Sequence, residues 1–157
     1  MTDILNGLNS PQKEAVTTIE GPVMVIAGAG SGKTKALTHR IAYMIQEGIN
    51  PFAIMALTFT NKAAKEMKER LEKQLGEVAL GIWAGTFHSV CAKILRMHIE
   101  KLGRGSDFTI YDTDDQKKLM TDCIKELEFS DKMFTPKAVL SEISRSKEKL
   151  IDENEYA

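Results

Sequence analysis

The 157-residue sequence predicts an α/β fold, a partial parallel sheet flanked by helices and followed by an all-helical segment. Three observations carry this reading. Short apolar runs at about 23–27, 53–59 and 82–86 alternate with amphipathic helical patterns. A glycine-rich stretch joins the first run to a helix. Beyond Gly103-Arg104-Gly105-Ser106 the helical periodicity continues, but no strand pattern of any strength does.

In chain order, Ser10-Pro11 reads as an N-cap followed by a first-turn proline. Ala15, Val16 and Ile19 form an apolar stripe, and Gly21-Pro22 ends the helix. Val23-Met24-Val25-Ile26 opens the first buried strand. A helix follows from about Gly32 to Glu47, with Leu37, Ile41, Met44 and Ile45 inward and Gly48 closing it. Ala53 to Phe59 is apolar at nearly every position, the pattern of a parallel strand covered on both faces. Asn61 can cap the next helix, whose Ala64, Met67, Leu71 and Leu75 recur at helical spacing before Gly76. A short strand near Ile82–Thr86 leads into a helix bearing Val90, Ile94, Leu95, Ile99 and Leu102, and Gly103 terminates it. Asp112 and Thr135-Pro136 start two more helices, with apolar sets Leu119, Met120, Cys123, Ile124, Leu127 and Val139, Leu140, Ile143. The expected organisation is therefore an α/β part over residues 1–103 and a helical part over residues 104–157.

The stretch between first strand and helix, Ala27-Gly28-Ala29-Gly30-Ser31-Gly32-Lys33-Thr34, carries the clearest chemistry. Glycines let backbone N–H groups curl around phosphate oxygens, a lysine reaches the β- and γ-phosphates, and a threonine hydroxyl reaches Mg²⁺. The helix behind adds its positive N-terminal end. The pattern G-x-x-x-x-G-K-[ST] is met except that Ala27 stands in the first glycine position, and strand before with helix after is the context it requires. ATP with Mg²⁺ held at Thr34 is the expected ligand.

Composition narrows the class further. Hydrophobic residues make up 43% of the chain, enough for one core or one and part of another. Residues 1–103 carry 12 Lys/Arg against 9 Asp/Glu and residues 104–157 carry 9 against 13, so net charge by itself says little about nucleic acid. Cys91 and Cys123 sit among apolar residues at helical spacing, which predicts buried, reduced thiols. No run approaches the ~18 apolar residues of a membrane-spanning helix, and no basic-then-apolar leader opens the chain. A soluble, cytoplasmic protein with no membrane association is expected.

Three further segments bear on function, and each has a plain structural reading beside the functional one. In Leu8-Asn9-Ser10-Pro11-Gln12, the Gln12 amide can offer a donor and an acceptor to an adenine edge, or simply be solvated in a first helical turn. Leu57-Thr58-Phe59-Thr60-Asn61-Lys62-Ala63-Ala64 ends the second strand at the carboxyl edge, where α/β sheets place ligands. Phe59 there can stack on a base or plug the core, and Asn61 can approach a phosphate or merely cap a helix. Gly85-Thr86-Phe87-His88-Ser89 ends the third strand in the same way, and His88 is either a ligand or an ordinary first-turn residue.

In this order, the segments resemble the Rep/UvrD/PcrA group of superfamily 1A DNA helicases. Leu8 to Gln12 is similar to the family's adenine-reading Q motif, Ala27 to Thr34 to motif I, Leu57 to Met67 to motif Ia, and Gly85 to Ser89 to the next DNA-contacting motif. The resemblance is strong over roughly residues 5–103. It implies a RecA-like motor domain of the P-loop NTPase class. Gln12 would read adenine, Ala27, Gly28, Ala29, Gly30, Ser31, Gly32, Lys33 and Thr34 would hold the triphosphate and Mg²⁺, and Lys35 would lie against the base. Lys33 and Thr34 would serve catalysis, and Thr58, Phe59, Asn61, Thr86, Phe87 and His88 would face single-stranded DNA. Where the family usually has arginine, this chain has Lys35, which keeps the charge without the planar stacking surface.

Other parts of the family pattern are missing. No acidic DExx segment follows an apolar strand, and the arginines that clamp the γ-phosphate from a second motor domain are absent. Asp112-Thr113-Asp114-Asp115 precedes a helix and reads as capping. By resemblance the chain is an N-terminal piece of a longer helicase, with 1–103 the start of domain 1A and 104–157 the start of the helical insertion 1B. The parent is expected to be an ATP-dependent 3′-to-5′ helicase acting on single-stranded DNA and duplex junctions in repair or replication restart. The piece alone is expected to be nearly inactive. A subunit of a helicase-nuclease recombination complex and a P-loop kinase unrelated to DNA are the alternatives.

Overall fold

The computed structural model describes residues 4–130 and 133–156. By its internal contacts the chain divides into two compact units, Met1–Ser106 and Asp107–Ala157.

The first unit runs α1 (Ser10–Thr17), α2 (Lys33–Gln46), β1 (Met55–Thr58), α3 (Asn61–Leu75), β2 (Trp83–Thr86) and α4 (Phe87–His98). Short 3₁₀ turns lie at Pro51–Ala53, Gly76–Gly81 and Ile99–Leu102. β1 and β2 pair in parallel with Met55 opposite Trp83 and Thr58 opposite Thr86, and α3 makes the crossover between them. Parallel neighbours cannot be joined by a tight turn, so a helix of this length is what the pairing demands. The core gathers Ile41 of α2, Ile54 and Ala56 around β1, Met67 and Leu71 of α3, Ala79 and Ile82. Met67 and Leu71 are each 1% exposed, and burying a side chain of that size contributes about 1.5–3 kcal/mol.

In the second unit, α5 (Thr113–Glu126) packs against α6 (Pro136–Glu148), and α7 (Glu153–Tyr156) follows. Asp112 caps α5 by accepting from the N–H groups of Asp114 and Asp115, at 2.9 Å each, and the Asp115 carboxylate accepts from the N–H of Asp112 in return. Thr135 caps α6 ahead of Pro136. The acidic cluster at 112–115 is thus spent on a helix start. Among the described residues no cluster of His, Cys, Asp and Glu is arranged to hold a metal ion, and no helix is long and apolar enough to cross a membrane.

Several expectations need correction. The strand foreseen at 23–27 forms no ladder, because β1 with β2 is the sole sheet among the described residues and Val23–Ile26 has no neighbouring strand. Nor is the run buried, since Val23 and Val25 are 40% and 52% exposed. Val23 and Val25 line a cavity of about 280 Å³ with Ala15, Ala36 and Leu37, whereas Met24 and Ile26 are 84% and 89% exposed. β1 is not covered on both faces, since Met55 is half exposed. Helix starts shift by one residue: Asn9 rather than Ser10 caps α1, and Thr60 rather than Asn61 caps α3, its hydroxyl accepting from the Ala63 N–H at 3.2 Å. Capping needs an extended residue with a short oxygen-bearing side chain, and in each pair the earlier residue holds that backbone conformation. Cys91 is exposed and Cys123 half-buried, both as free thiols; α4 buries Val90 and leaves Cys91 on its outer face.

Candidate nucleotide loop and aromatic edge

The loop 27–32 reaches α2 through two glycines in the left-handed region, Gly30 at φ +74° and Gly32 at φ +82°. Gly32 is the residue before α2, and no side chain caps that helix. The first N–H groups of a fourteen-residue helix are therefore left to the loop or to an anion. Lys33, the first helical residue, folds its ammonium back to donate to the carbonyls of Ala27 (2.9 Å) and Gly28 (2.7 Å). The Ser31 hydroxyl donates to the same Gly28 carbonyl at 2.7 Å. Thr34 and Ala29 are exposed, and Ala27 is half-buried.

Gln12 reaches this loop from α1. Its amide nitrogen donates to the Ser31 carbonyl at 2.9 Å, while its amide oxygen accepts from the Asn9 N–H at 3.1 Å. One N–H and one lone pair of the amide stay uncommitted by these bonds. A Cβ on Gly32 would stand 2.7 Å from the Gln12 amide nitrogen, so a side chain there would displace the Gln12 amide, while the positive φ is what requires glycine. Lys35, the third residue of α2, donates to the Gly7 carbonyl at 2.7 Å. Arg40 clamps the end of α1 to α2 through the carbonyls of Ala15 and Thr18.

A second group of side chains meets at the strand ends. The register that sets Thr58 beside Thr86 sends the chain out of both strands at the same edge, into Phe59 and Phe87. Their ring centroids lie 5.1 Å apart with planes inclined 35°, a favourable tilted contact. Phe59 is 88% exposed, which removes the core-plug reading for it. Asn61 and His88 stand exposed in the first turns of the helices that leave this edge, and Asn61 joins Lys65, Lys68, Thr86 and Ser89 around a cavity of about 430 Å³. The Thr58 hydroxyl donates to the Thr60 carbonyl at 3.2 Å. Thr86 is 6% exposed and caps α4 in a reciprocal box with Ser89, so its hydroxyl is engaged inside the fold.

Residues 8–157 match the family described as UvrD/REP helicase N-terminal domain. The chain belongs to that family. Among UvrD/REP relatives it is 48% identical over 155 residues, 98% of its own length, to a Bacillus subtilis (strain 168) protein named ATP-dependent DNA helicase PcrA. Proteins of the same name from Staphylococcus aureus (strain Mu50) and Staphylococcus epidermidis (strain ATCC 35984) are also 48% identical, over 151 residues and 96% of the chain. The chain spans 21% of the length of each of these relatives.

For a UvrD/REP chain, the sequence motifs mark most of the residues that the structure gathers, but not Gly7 or Arg40. Gly7 sits at φ +72° where the chain turns ahead of α1, and the Asn6-Gly7 pair is a turn signal that marks the place. Nothing in the sequence singles out Arg40, because its partners are main-chain carbonyls whose positions depend on how α1 packs on α2.

Proposed function

We propose that this chain forms the nucleotide-binding and DNA-contacting part of an ATP-dependent DNA helicase, on a RecA-like P-loop motor domain over residues 1–103, with 104–157 the start of a helical insertion. The observation that carries the reading is the loop Ala27–Thr34 set before an uncapped helix and bonded to Gln12, in a chain of the UvrD/REP family. The names of its relatives support ATP as the nucleotide and DNA as the polymer.

The donor set suits a triphosphate: main-chain N–H groups at the start of α2, a lysine ammonium within the loop, and a threonine hydroxyl beside it. Lys33 would exchange the carbonyls of Ala27 and Gly28 for β- and γ-phosphate oxygens, a stronger charge-assisted pairing. Thr34 is the residue suited to Mg²⁺, which when bound neutralises phosphate charge. Gln12 would present its remaining donor and acceptor to adenine while its bond to Ser31 reports base occupancy to the phosphate loop. At the strand ends, Phe59 and Phe87 would stack on exposed bases, with Asn61 and His88 near the backbone. Movement of a single strand in the 3′-to-5′ direction, action at duplex junctions, and a role in repair or replication restart complete the proposal for the whole protein.

Anisotropy of a fluorescent oligo-dT with this chain, with and without Mg²⁺ and a nonhydrolysable ATP analogue, tests it. Saturable, salt-sensitive binding that responds to nucleotide is expected. A folded chain that takes up the analogue yet ignores DNA at low salt contradicts the DNA half of the proposal.

A further inference from the structure

We propose that Lys35 is a positioning residue that ties the turn at 5–9 to α2 and so keeps Gln12 in register with the phosphate loop. The inference rests on the nucleotide reading above, but its first test does not. The Lys35 ammonium donates to the Gly7 carbonyl at 2.7 Å, a charge-assisted bond between segments far apart in sequence. Gly7 turns at φ +72°, and a Cβ placed there would sit 3.4 Å from the Lys35 nitrogen, so the turn and the lysine fit one another closely.

From that turn the chain runs directly into the Gln12 machinery. Leu8 is buried at 7% exposure, Asn9 and Gln12 lock each other in a capping box, and Gln12 donates to the Ser31 carbonyl. Ser31 is covalently four residues from Lys35 along the loop and the first turn of α2. The contacts therefore close a ring: Lys35 to Gly7, Gly7 through Leu8 and Asn9 to Gln12, Gln12 to Ser31, and Ser31 through Gly32 back to Lys35. Lys35 and Gln12 are the two side-chain pins of that ring. Removing either lets the turn and the amide drift relative to the loop, and Lys35 does this without needing to touch the base.

The test uses this chain with Lys35→Met, which keeps length and removes the donor, Lys35→Gln as a second variant, and Lys35→Arg as the conservative one. Without nucleotide, NMR order parameters of residues 5–9 should fall in Lys35→Met and Lys35→Gln and hold in Lys35→Arg. Unchanged order in the methionine and glutamine variants overturns the tether, whatever the nucleotide does. With ligand, ATP affinity should drop about threefold to fivefold in Lys35→Met, the most that one solvent-exposed hydrogen bond can couple, while inorganic tripolyphosphate binding stays within about twofold. The ATP-to-GTP preference should narrow, and Lys35→Met added to Gln12→Ala should cost little more than Gln12→Ala alone, because both act through one ring. Full additivity of the two substitutions overturns the proposal in favour of direct base contact by Lys35. Failure of the unaltered chain to bind tripolyphosphate and ATP counts against the nucleotide reading and leaves the order-parameter result to decide the tether.

Discussion

Phe59 and Phe87 leave two parallel strands at the same edge and hold their rings 5.1 Å apart, although each follows its own strand and starts toward a different helix. Two exposed aromatics in contact make a small apolar patch that a partner can cover. A single-stranded base can do so, since every base has a face to stack.

The pair yields the first prediction. Phe59→Ala should weaken oligo-dT binding by about 1–3 kcal/mol, the range for one base–aromatic stack, and Phe87→Ala by less because that ring is only 42% exposed. The double substitution should fall short of the sum, since each ring supports the other. Anisotropy titrations at fixed salt check this, with circular dichroism confirming that each variant is folded. Equal, additive losses would mean that the two rings act at separate places.

How much of this was legible in the sequence depends on what each feature needs. Helices α2, α3 and α5 announce themselves because a helix satisfies its own backbone and needs a partner for one stripe only, so Ile41, Met67 and Ile124 are buried where periodicity puts them, although Leu37, Leu119 and Leu127 of the same stripes stay exposed. Val23–Ile26 did not follow its pattern because a strand exists only by pairing, and pairing is a property of the neighbours. Glycine spacing and Lys33 revealed the phosphate loop. The Lys35–Gly7 and Arg40–Ala15 bonds were invisible because each ends on a carbonyl, which every residue carries. The sequence leaves Phe59 either a base platform or a core plug, and its exposure in the fold excludes the plug.

Gly32 gives a second prediction. Gly32→Ala forces a side chain into a left-handed backbone at φ +82° and sets its Cβ 2.7 Å from the Gln12 amide, so the bond from Gln12 to Ser31 must shift. A stability loss of about 1–3 kcal/mol is expected from the backbone strain, measured by urea unfolding. Gly48→Ala, at φ +90° but with nothing within 4 Å of the added carbon, should lose stability and leave ATP affinity unchanged. Equal affinity losses in both would remove the special role of the Gln12 contact.

Thr86 gives a third. Its hydroxyl accepts from the Ser89 N–H at 3.2 Å, the Ser89 hydroxyl accepts from the Thr86 N–H at 3.0 Å, and Thr86 itself is buried. Thr86→Val preserves volume but strips the cap from α4, which should cost about 0.5–2 kcal/mol in unfolding free energy. Because Phe87 and His88 occupy the first turn of that helix, loosening it should also weaken oligo-dT binding. A variant as stable as the parent would show that the capping box contributes nothing to α4.

Lys33 separates binding from folding most cleanly. Its ammonium donates to the carbonyls of Ala27 and Gly28, but these are exposed bonds whose loss exchanges protein for water and should change stability by less than about 1 kcal/mol. Against a triphosphate the same ammonium meets full negative charge, and losing one such bond, worth about 1.5–3 kcal/mol, lowers affinity by about tenfold to a hundredfold. Lys33→Met should therefore keep the thermal midpoint of the parent within a few degrees while losing ATP and tripolyphosphate binding together. Lys33→Arg should restore charge without restoring affinity, since the larger, planar guanidinium cannot take the position of a compact ammonium inside a turn this tight. Calorimetric titration of both ligands against the two variants decides the matter. Retention of tripolyphosphate binding by Lys33→Met would assign the phosphate to the helix N-terminus and leave the lysine a bystander of its own loop.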